Sequence, residues 1–164
     1  MLSRTLMLLC ATLIGCNEAK QDTSNTDTSD TIVEESKTIW NGPKITFTKE
    51  DSVDHTESQN QDFITDSVIL TRQMKGSLIN IATESSAVFS SPDGTEWALG
   101  TTNDLDNLEF QSLKEAANNL LKQVPGKSYV LHLIEDDIYI DVTFISWTSG
   151  GSGGGFSYER TTEN

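Results

Sequence analysis

Aromatic rings and a carboxylate alternate along one β-patterned run of this sequence. In residues 138–147, period-2 alternation puts Tyr139, Asp141 and Trp147 on one face, opposite a face of Ile, Val and Phe side chains. Tyr158, in a later β-patterned run, extends this face. Rings that stack and carboxylates that accept hydrogen bonds from hydroxyl groups suit a glycan ligand. The sequence therefore predicts a ligand-binding face at these four residues. The alternative is that their rings fill the second side of a sandwich core.

The turn that precedes this run is rich in carboxylates. Asp136 and Asp137 lie in the turn, Asp141 follows within the run, and His132 comes shortly before. Calcium prefers several oxygen ligands, so Asp136, Asp137 and Asp141 are candidate calcium ligands, with His132 nearby. The alternative is that the acidic turn residues are simply hydrated. Calcium is the only cofactor for which the sequence offers candidate ligands.

The same carboxylates allow a hydrolytic alternative. Glycoside hydrolysis uses two carboxylates about 5–9 Å apart, and Asp137 with Asp141 or Glu96 would supply such a pair for an extracellular polysaccharide. No H-E-x-x-H motif is present, and His132 alternates with leucines along a strand, which is typical of a structural histidine. The sequence therefore favours a binding or structural module over an enzyme.

Three β-patterned runs must position these residues. Residues 128–134 and 138–147 are separated only by an acidic tripeptide, which predicts a tight hairpin. Residues 148–155, here named the glycine loop, contain five glycines and lead into a third β-patterned run at 156–159. We expect a flexible loop that closes a second hairpin, with the last run lying alongside residues 138–147.

The remaining β-patterned runs and one helix complete the predicted domain. Further strands are expected within residues 44–48, 66–72, 77–83 and 95–100, joined by glycine-containing turns. A capping box of Ser and Glu and an apolar stripe of helical period predict an amphipathic helix over residues 112–124. The predicted fold class is α+β, mainly β: a two-layer antiparallel β-sandwich of seven to nine strands with one packed helix.

The first residues have the features of an export signal. Arg4 is followed by residues 6–14, which are apolar or small except for Thr12 and too short to cross a bilayer core that needs roughly 20 residues. Residues 13–16, with the sequence LIGC, resemble the lipobox of bacterial lipoproteins. The resemblance implies cleavage of signal peptide 1–15 and attachment of diacylglycerol and a further acyl chain to Cys16. Several acyl chains anchor a protein stably, whereas one does so only marginally.

Composition and the residue after Cys16 indicate a cellular location and exclude several functions. Residues 16–37 are rich in Asn, Asp, Glu, Ser and Thr, and such a segment is expected to be a disordered tether. Asn17 is not the Asp that resembles an inner-membrane retention signal, so an outer-membrane location is favoured if the bacterium is diderm. With Cys10 removed and Cys16 acylated, no thiol remains for disulfides or catalysis. The net charge of −14 offers no cationic footprint for nucleic acid.

Residues 38–162 form the predicted globular domain, and several stretches within it resemble a known type of domain. These stretches are residues 40–43, 45–48, 60–62, 94–98, 136–141 and 153–160. They resemble an uncharacterised domain of exported proteins from marine and environmental bacteria, often Bacteroidetes. The resemblance implies one compact module of the cell envelope, whose partners would be the membrane, through the anchor, and a glycan or an envelope protein. It implies no residue roles.

Overall fold

The computed structural model describes residues 37–87 and 90–164. The signal peptide, the lipobox with Cys16 and the tether up to residue 36 lie outside the described residues. The strands are β1 (Thr38–Trp40), β2 (Ile45–Lys49), β3 (Asp62–Phe63), β4 (Ile69–Arg72), β5 (Leu78–Asn80), β6 (Thr95–Leu99), β7 (Ser128–Leu133), β8 (Ile138–Trp147) and β9 (Phe156–Arg160). The helical segments are α1 (Leu113–Ala116) and short 3₁₀ segments at Ser58–Asn60, Thr102–Asn107 and Leu121–Gln123.

The larger sheet has the strand order β2-β9-β8-β7-β6, and all of these pairs are antiparallel. The predicted hairpin of β7 and β8 is confirmed, although its connection is four residues long and Asp137 adopts φ +48° within it. Strand β9 returns alongside β8, as predicted. Strand β1 pairs in parallel with residues 138–140, so β1 and β9 share one edge of β8.

The smaller sheet has the order β3-β4-β5, and its residues share one apolar core with the larger sheet. Leu70 and Leu78 of the smaller sheet are buried in the same cluster as Trp97, Phe144 and Tyr158 of the larger sheet. The alternating side chains of each strand explain this, because one face of each sheet turns toward the other. The domain is therefore a mainly β sandwich of two layers with little helix, as the sequence predicts, and its strand pairs are antiparallel except for β1 with β8.

The predicted helix over residues 112–124 begins where expected but is much shorter. The capping box of Ser112 and Glu115 is present, and α1 follows it for a single turn, Leu113–Ala116. Asn118 and Asn119 then adopt φ +51° and +61°, which ends the helix, because successive left-handed residues cannot continue it. Asparagine is one of the few residues other than glycine that tolerates this conformation.

A β-bulge in β8 changes which side chains face the core. Phe144 pairs with Tyr158 and Ser146 pairs with Ser157, so Ile145 is an extra residue in β8. Ile145 and Ser146 are both exposed, and Trp147 turns inward. The expectation that Trp147 shares a face with Tyr139 is therefore wrong, because the bulge shifts the alternation by one residue.

The two ends of the described domain lie side by side. The backbone N–H of Gly42 donates to the carbonyl of Thr162 over 2.9 Å, and the N–H of Asn41 donates to the side chain of Asn164. A Cβ atom on Gly42 would overlap the backbone of Glu163, so only glycine allows this close approach.

Within residues 37–87 and 90–164, no helix is long and apolar enough to cross a membrane.

Candidate ligand-binding cleft

The four residues predicted to form a ligand face do not share a surface. Trp147 and Tyr158 lie in the apolar core between the sheets. Tyr139 and Asp141 lie on the opposite face of the larger sheet, where residues 100–111 cover them. For Trp147 and Tyr158, the structure agrees with the alternative that their rings fill the core.

Tyr139 belongs to an aromatic stack on the outer face of the larger sheet. Its ring lies 4.2 Å from the ring of His132 at an angle of 3°, and Phe110 packs against both rings edge-on. His132 Nε2 lies 3.1 Å from a carboxylate oxygen of Asp137, and Nδ1 lies 3.7 Å from Glu96. Burial raises the pKa of Tyr139 to about 12, with a smaller contribution from Asp137. The stack fixes the segment around Phe110 against the sheet.

The three candidate calcium ligands each have different hydrogen-bond partners. Asp136 accepts hydrogen bonds from the hydroxyl groups of Thr65 and Ser67 in the smaller sheet's turn. Asp141 accepts two from Thr102, at 2.7 Å from its N–H and 3.0 Å from its hydroxyl, while Asp137 faces His132. Within the part of the chain that the structure describes, no group of three His, Cys, Asp or Glu residues converges on one point.

Tyr158 takes part in a buried ion pair. Arg160 donates to both carboxylate oxygens of Asp62, at 2.7 and 2.8 Å, and the Tyr158 hydroxyl donates to the same carboxylate at 2.6 Å. Burial, and then the charge of Asp62, raise the pKa of Tyr158 well above its ordinary value. These contacts join β3 to β9, so the arrangement links the two sheets.

A cleft of about 590 Å³ opens at the other end of the sandwich, and we name it the Arg72 cleft. It lies between the turn after β4, the segment that follows α1, and the start of the glycine loop. Its lining includes Arg72, Ser77, Lys114, Asn119, Lys122 and Trp147. The exposed Lys114, Asn119 and Lys122 lie at its rim, whereas Arg72 and Ser77 are buried.

Arg72 forms the floor of the cleft and joins the two sheets there. Its guanidinium carbon lies 4.0 Å from the centroid of the Trp147 ring, which is a cation–π contact. Its hydrogen bonds among the described residues go to the carbonyls of Gly76, Thr148 and Gly155. Burial lowers the pKa of Arg72 to about 10, so the side chain keeps its charge at neutral pH. The floor is therefore a cation held by carbonyls.

The hydroxyl of Ser77 is the second unusual feature of the cleft. Ser77 is only 7% exposed, and its Oγ atom has no hydrogen-bond partner among the described residues. A buried polar group without a partner costs about 1–3 kcal/mol, so such groups in native proteins call for an explanation. The Oγ atom itself has almost no accessible surface, so it is not a contact point for a ligand in the cleft.

The charge of the lining differs from that of the whole chain. The sequence has 25 acidic and 11 basic residues, yet the lining within the described residues contains Arg72, Lys114 and Lys122 and no carboxylate. Two other grooves do contain acids: Asp93 and Glu96 line one, and Asp54 lines the other. The Arg72 cleft is therefore a locally cationic site on an acidic protein.

The glycine loop is packed at its end and not free, contrary to the expectation of a flexible loop. Cβ atoms on Gly153 and Gly154 would overlap the backbones of Ser52 and Gln73, respectively. The buried Lys49 lies 3.5 Å from the Gly154 carbonyl, and its pKa is lowered by burial and then by the charge of Arg72. The packed end of the loop therefore lies against Ser52 and Gln73, whereas Thr148 and Gly150 at its start line the cleft.

The glycine loop also contains the spacing G-x-S-x-G at residues 150–154, which in α/β-hydrolases forms a nucleophile elbow. That motif needs a strand before it and a helix after it. Here the loop joins β8 to β9, and the Ser152 hydroxyl lies 3.3 Å from that of Ser149. The structural context of the nucleophile elbow is absent from the described loop.

Sequence reasoning did not find the Arg72 cleft. Arg72 falls at the end of a β-patterned run, and Lys114 and Lys122 look like polar positions of an amphipathic helix. One signal was present: in an acidic chain, each basic residue near a turn is a candidate for an anion site.

A scan against protein-family models, a search of curated proteins and a search of solved structures each found no match to the chain. The resemblance to an exported bacterial domain stays a prediction.

Proposed function

We propose that this chain is a lipid-anchored protein of a bacterial cell envelope whose β-sandwich binds a glycan in the Arg72 cleft. The lipobox at residues 13–16 supports the anchor, and the absence of Asp at position 17 supports an outer-membrane location in a diderm bacterium. The protein acts by holding its ligand near the membrane. Neither a cofactor nor calcium takes part in this proposal.

The polar lining of the Arg72 cleft carries the proposal. The cleft is large enough for a small saccharide, and its lining includes Arg72, Lys114 and Lys122 and no carboxylate among the described residues. Asn119 and Gln123 at the rim add amide groups, which can donate to and accept from sugar hydroxyls. Clefts with a few convergent polar groups on an otherwise apolar wall are typical of small-ligand sites.

The anchor is tested on the full chain by comparing the native protein with Cys16→Ser. The native protein is expected to carry the acyl mass and sediment with membranes, and the variant is expected to stay in the soluble fraction. If both are soluble and are cleaved elsewhere, the lipoprotein assignment is wrong.

The cleft is tested with the soluble Cys16→Ser chain on a saccharide array. A second substitution, either Gln123→Ala or Asn119→Ala, removes an exposed amide at the rim. Asn103→Ala is a matched control because Asn103 is exposed and lies outside the cleft. We expect a retained saccharide whose affinity falls with both cleft substitutions and not with the control. No retained saccharide, or equal effects of all three substitutions, would reject the glycan proposal.

A further inference from the structure

We infer that the ligand of the Arg72 cleft is an acidic saccharide whose carboxylate or sulfate group is held by the cations of the lining. The inference rests on the proposed function and adds the charge of the ligand to it. It starts from three basic residues in one cleft of a chain that has more than twice as many acidic as basic residues.

The geometry of the lining distinguishes a deep cation from two rim cations. Arg72 is 2% exposed and fixed by three carbonyls and the Trp147 ring, so its position changes little when a ligand binds. Lys114 and Lys122 are exposed and flexible enough to reach a bound anion. A fixed charge below and two mobile charges above form a binding site for one anionic group.

The absence of a competing carboxylate matters as much as the cations. Within the described lining no Asp or Glu neutralises Arg72, whose hydrogen-bond partners are carbonyls. A buried cation without a carboxylate partner is costly, and an anionic ligand would offset that cost. Asp51 is the acidic residue that raises the pKa of Arg72, but it is not part of the lining.

The neutral donors of the cleft favour a sugar over a simple anion. Asn119 and Gln123 add two amides beside the cations. A free phosphate or sulfate would use the cations alone, whereas a sugar also presents ring hydroxyls to these groups. Because the whole chain is negatively charged, a long anionic polymer would be repelled at a distance, so short oligosaccharides are the appropriate probes.

The test compares pairs of ligands whose main difference is the charge of one type of group. Di- to tetrasaccharides of galacturonic acid are titrated into the Cys16→Ser chain by calorimetry, beside their methyl esters, which lack the charge. Sulfated and desulfated galactose oligosaccharides form a second pair. We expect the charged member of at least one pair to bind and its neutral partner to bind at least tenfold more weakly. The pair that binds tells a carboxylate from a sulfate ligand.

Substitutions locate the anion. Lys114→Gln and Lys122→Gln are each expected to weaken binding of the charged oligosaccharide about two- to fivefold, as for partly exposed ion pairs. Lys44→Gln is the matched control, because it removes the same charge from an exposed lysine outside the cleft. Both lysine substitutions should leave the weak binding of the neutral partner unchanged.

The outcomes separate the two proposals. If charged and neutral partners bind equally, the cleft binds a glycan but the acidic-saccharide inference is overturned. If inorganic sulfate competes as well as the oligosaccharide does, the cleft is an anion site and the sugar part is wrong. If no oligosaccharide binds here or on the array, the proposed function itself fails.

Discussion

Asp51 and Arg72 hold the same two residues of the glycine loop. Asp51 accepts hydrogen bonds from the Thr148 hydroxyl and the Gly155 N–H, both at 2.7 Å. Arg72 donates to the carbonyls of Thr148 and Gly155, at 3.1 and 2.9 Å. Thr148 begins the loop and Gly155 ends it, and the Thr148 N–H also donates to the Gly155 carbonyl. The two side chains therefore close the base of the loop together.

The contribution of Asp51 to stability is expected to depend on pH. Hydrogen bonds from Thr148, and then from Gly155, lower the pKa of Asp51 from its ordinary value of 3.8. A carboxyl group whose pKa is lowered in the folded state stabilises the protein at pH values above its ordinary pKa. This stabilisation is lost as the pH falls through the folded-state pKa. We expect Asp51→Asn to lower the melting temperature at pH 7, with the difference from wild type shrinking below about pH 3.8.

Asp66→Asn is the control for this measurement, because Asp66 is exposed and has no side-chain hydrogen bond among the described residues. Its melting curves should follow wild type from pH 7 to pH 3. A difference between Asp51→Asn and wild type that stays constant across this range would contradict the assignment of the effect to the carboxylate charge.

Gly154→Ala is expected to destabilise the domain by more than about 2 kcal/mol. Gly154 has φ +77°, and a Cβ atom there would overlap the carbonyl oxygen of Gln73, which belongs to the backbone and cannot move aside alone. Gly151→Ala is the control, because a Cβ there meets no atom within 4 Å, and we expect a change within about 0.5 kcal/mol. Urea unfolding measures both, and equal effects would mean that the loop is not packed as described.

Asp62→Asn is expected to cost about 3–5 kcal/mol, because it leaves the buried Arg160 without a compensating charge. Asp62 and Arg160 are 5% and 4% exposed, so solvent screens their interaction little. The double variant Asp62→Leu with Arg160→Met should lose less than the sum of its two component single variants, Asp62→Leu and Arg160→Met, since neither charge is then left alone. Urea unfolding of the three variants measures this coupling, and additive losses would contradict it.

Asn118→Ala is expected to destabilise the domain by about 1–2 kcal/mol, because its φ of +51° is unfavourable for a residue with an ordinary Cβ. Asn118→Gly should change stability by only a few tenths of a kcal/mol, since glycine adopts this conformation freely. Asn103→Ala, at an exposed position outside the positive-φ set, is the control for loss of the amide. If alanine and glycine at position 118 behaved alike in thermal unfolding, conformation would not be the cause.

The sequence predicts most strands because alternation and turn residues are local properties. The hairpin of β7 and β8, the return of β9 and the capping box at Ser112 follow from such patterns and are confirmed. The predicted length of the helix is wrong, also for a local reason. Asn118 and Asn119 adopt a left-handed conformation in the middle of an apolar stripe that has the helical period. Asparagine permits this conformation but does not require it, so the stripe alone predicts a longer helix.

The candidate site could not be predicted, because it depends on non-local geometry. One extra residue, Ile145, turns Trp147 from the outer face to the core, and nothing in the alternation of β8 marks that bulge. Arg72 reaches Trp147 only because the two sheets pack together, and Lys114 and Lys122 come from a separate segment. Lys114, Lys122 and Trp147 follow Arg72 by 42, 50 and 75 positions, and a cleft lined by residues at such separations has no sequence period.

The pairing of Asn41 and Gly42 with the last residues has a consequence for fusion proteins. Because Gly42 bonds to Thr162 and Asn41 to Asn164, residues 41–164 nearly close into a ring. A reporter fused after Asn164 would leave the domain beside Asn41, near the start of the described residues. A circular permutant that joins Asn41 to Asn164 by a short linker and opens at the turn of residues 134–137 would lose β1 but keep the five antiparallel strands of the larger sheet.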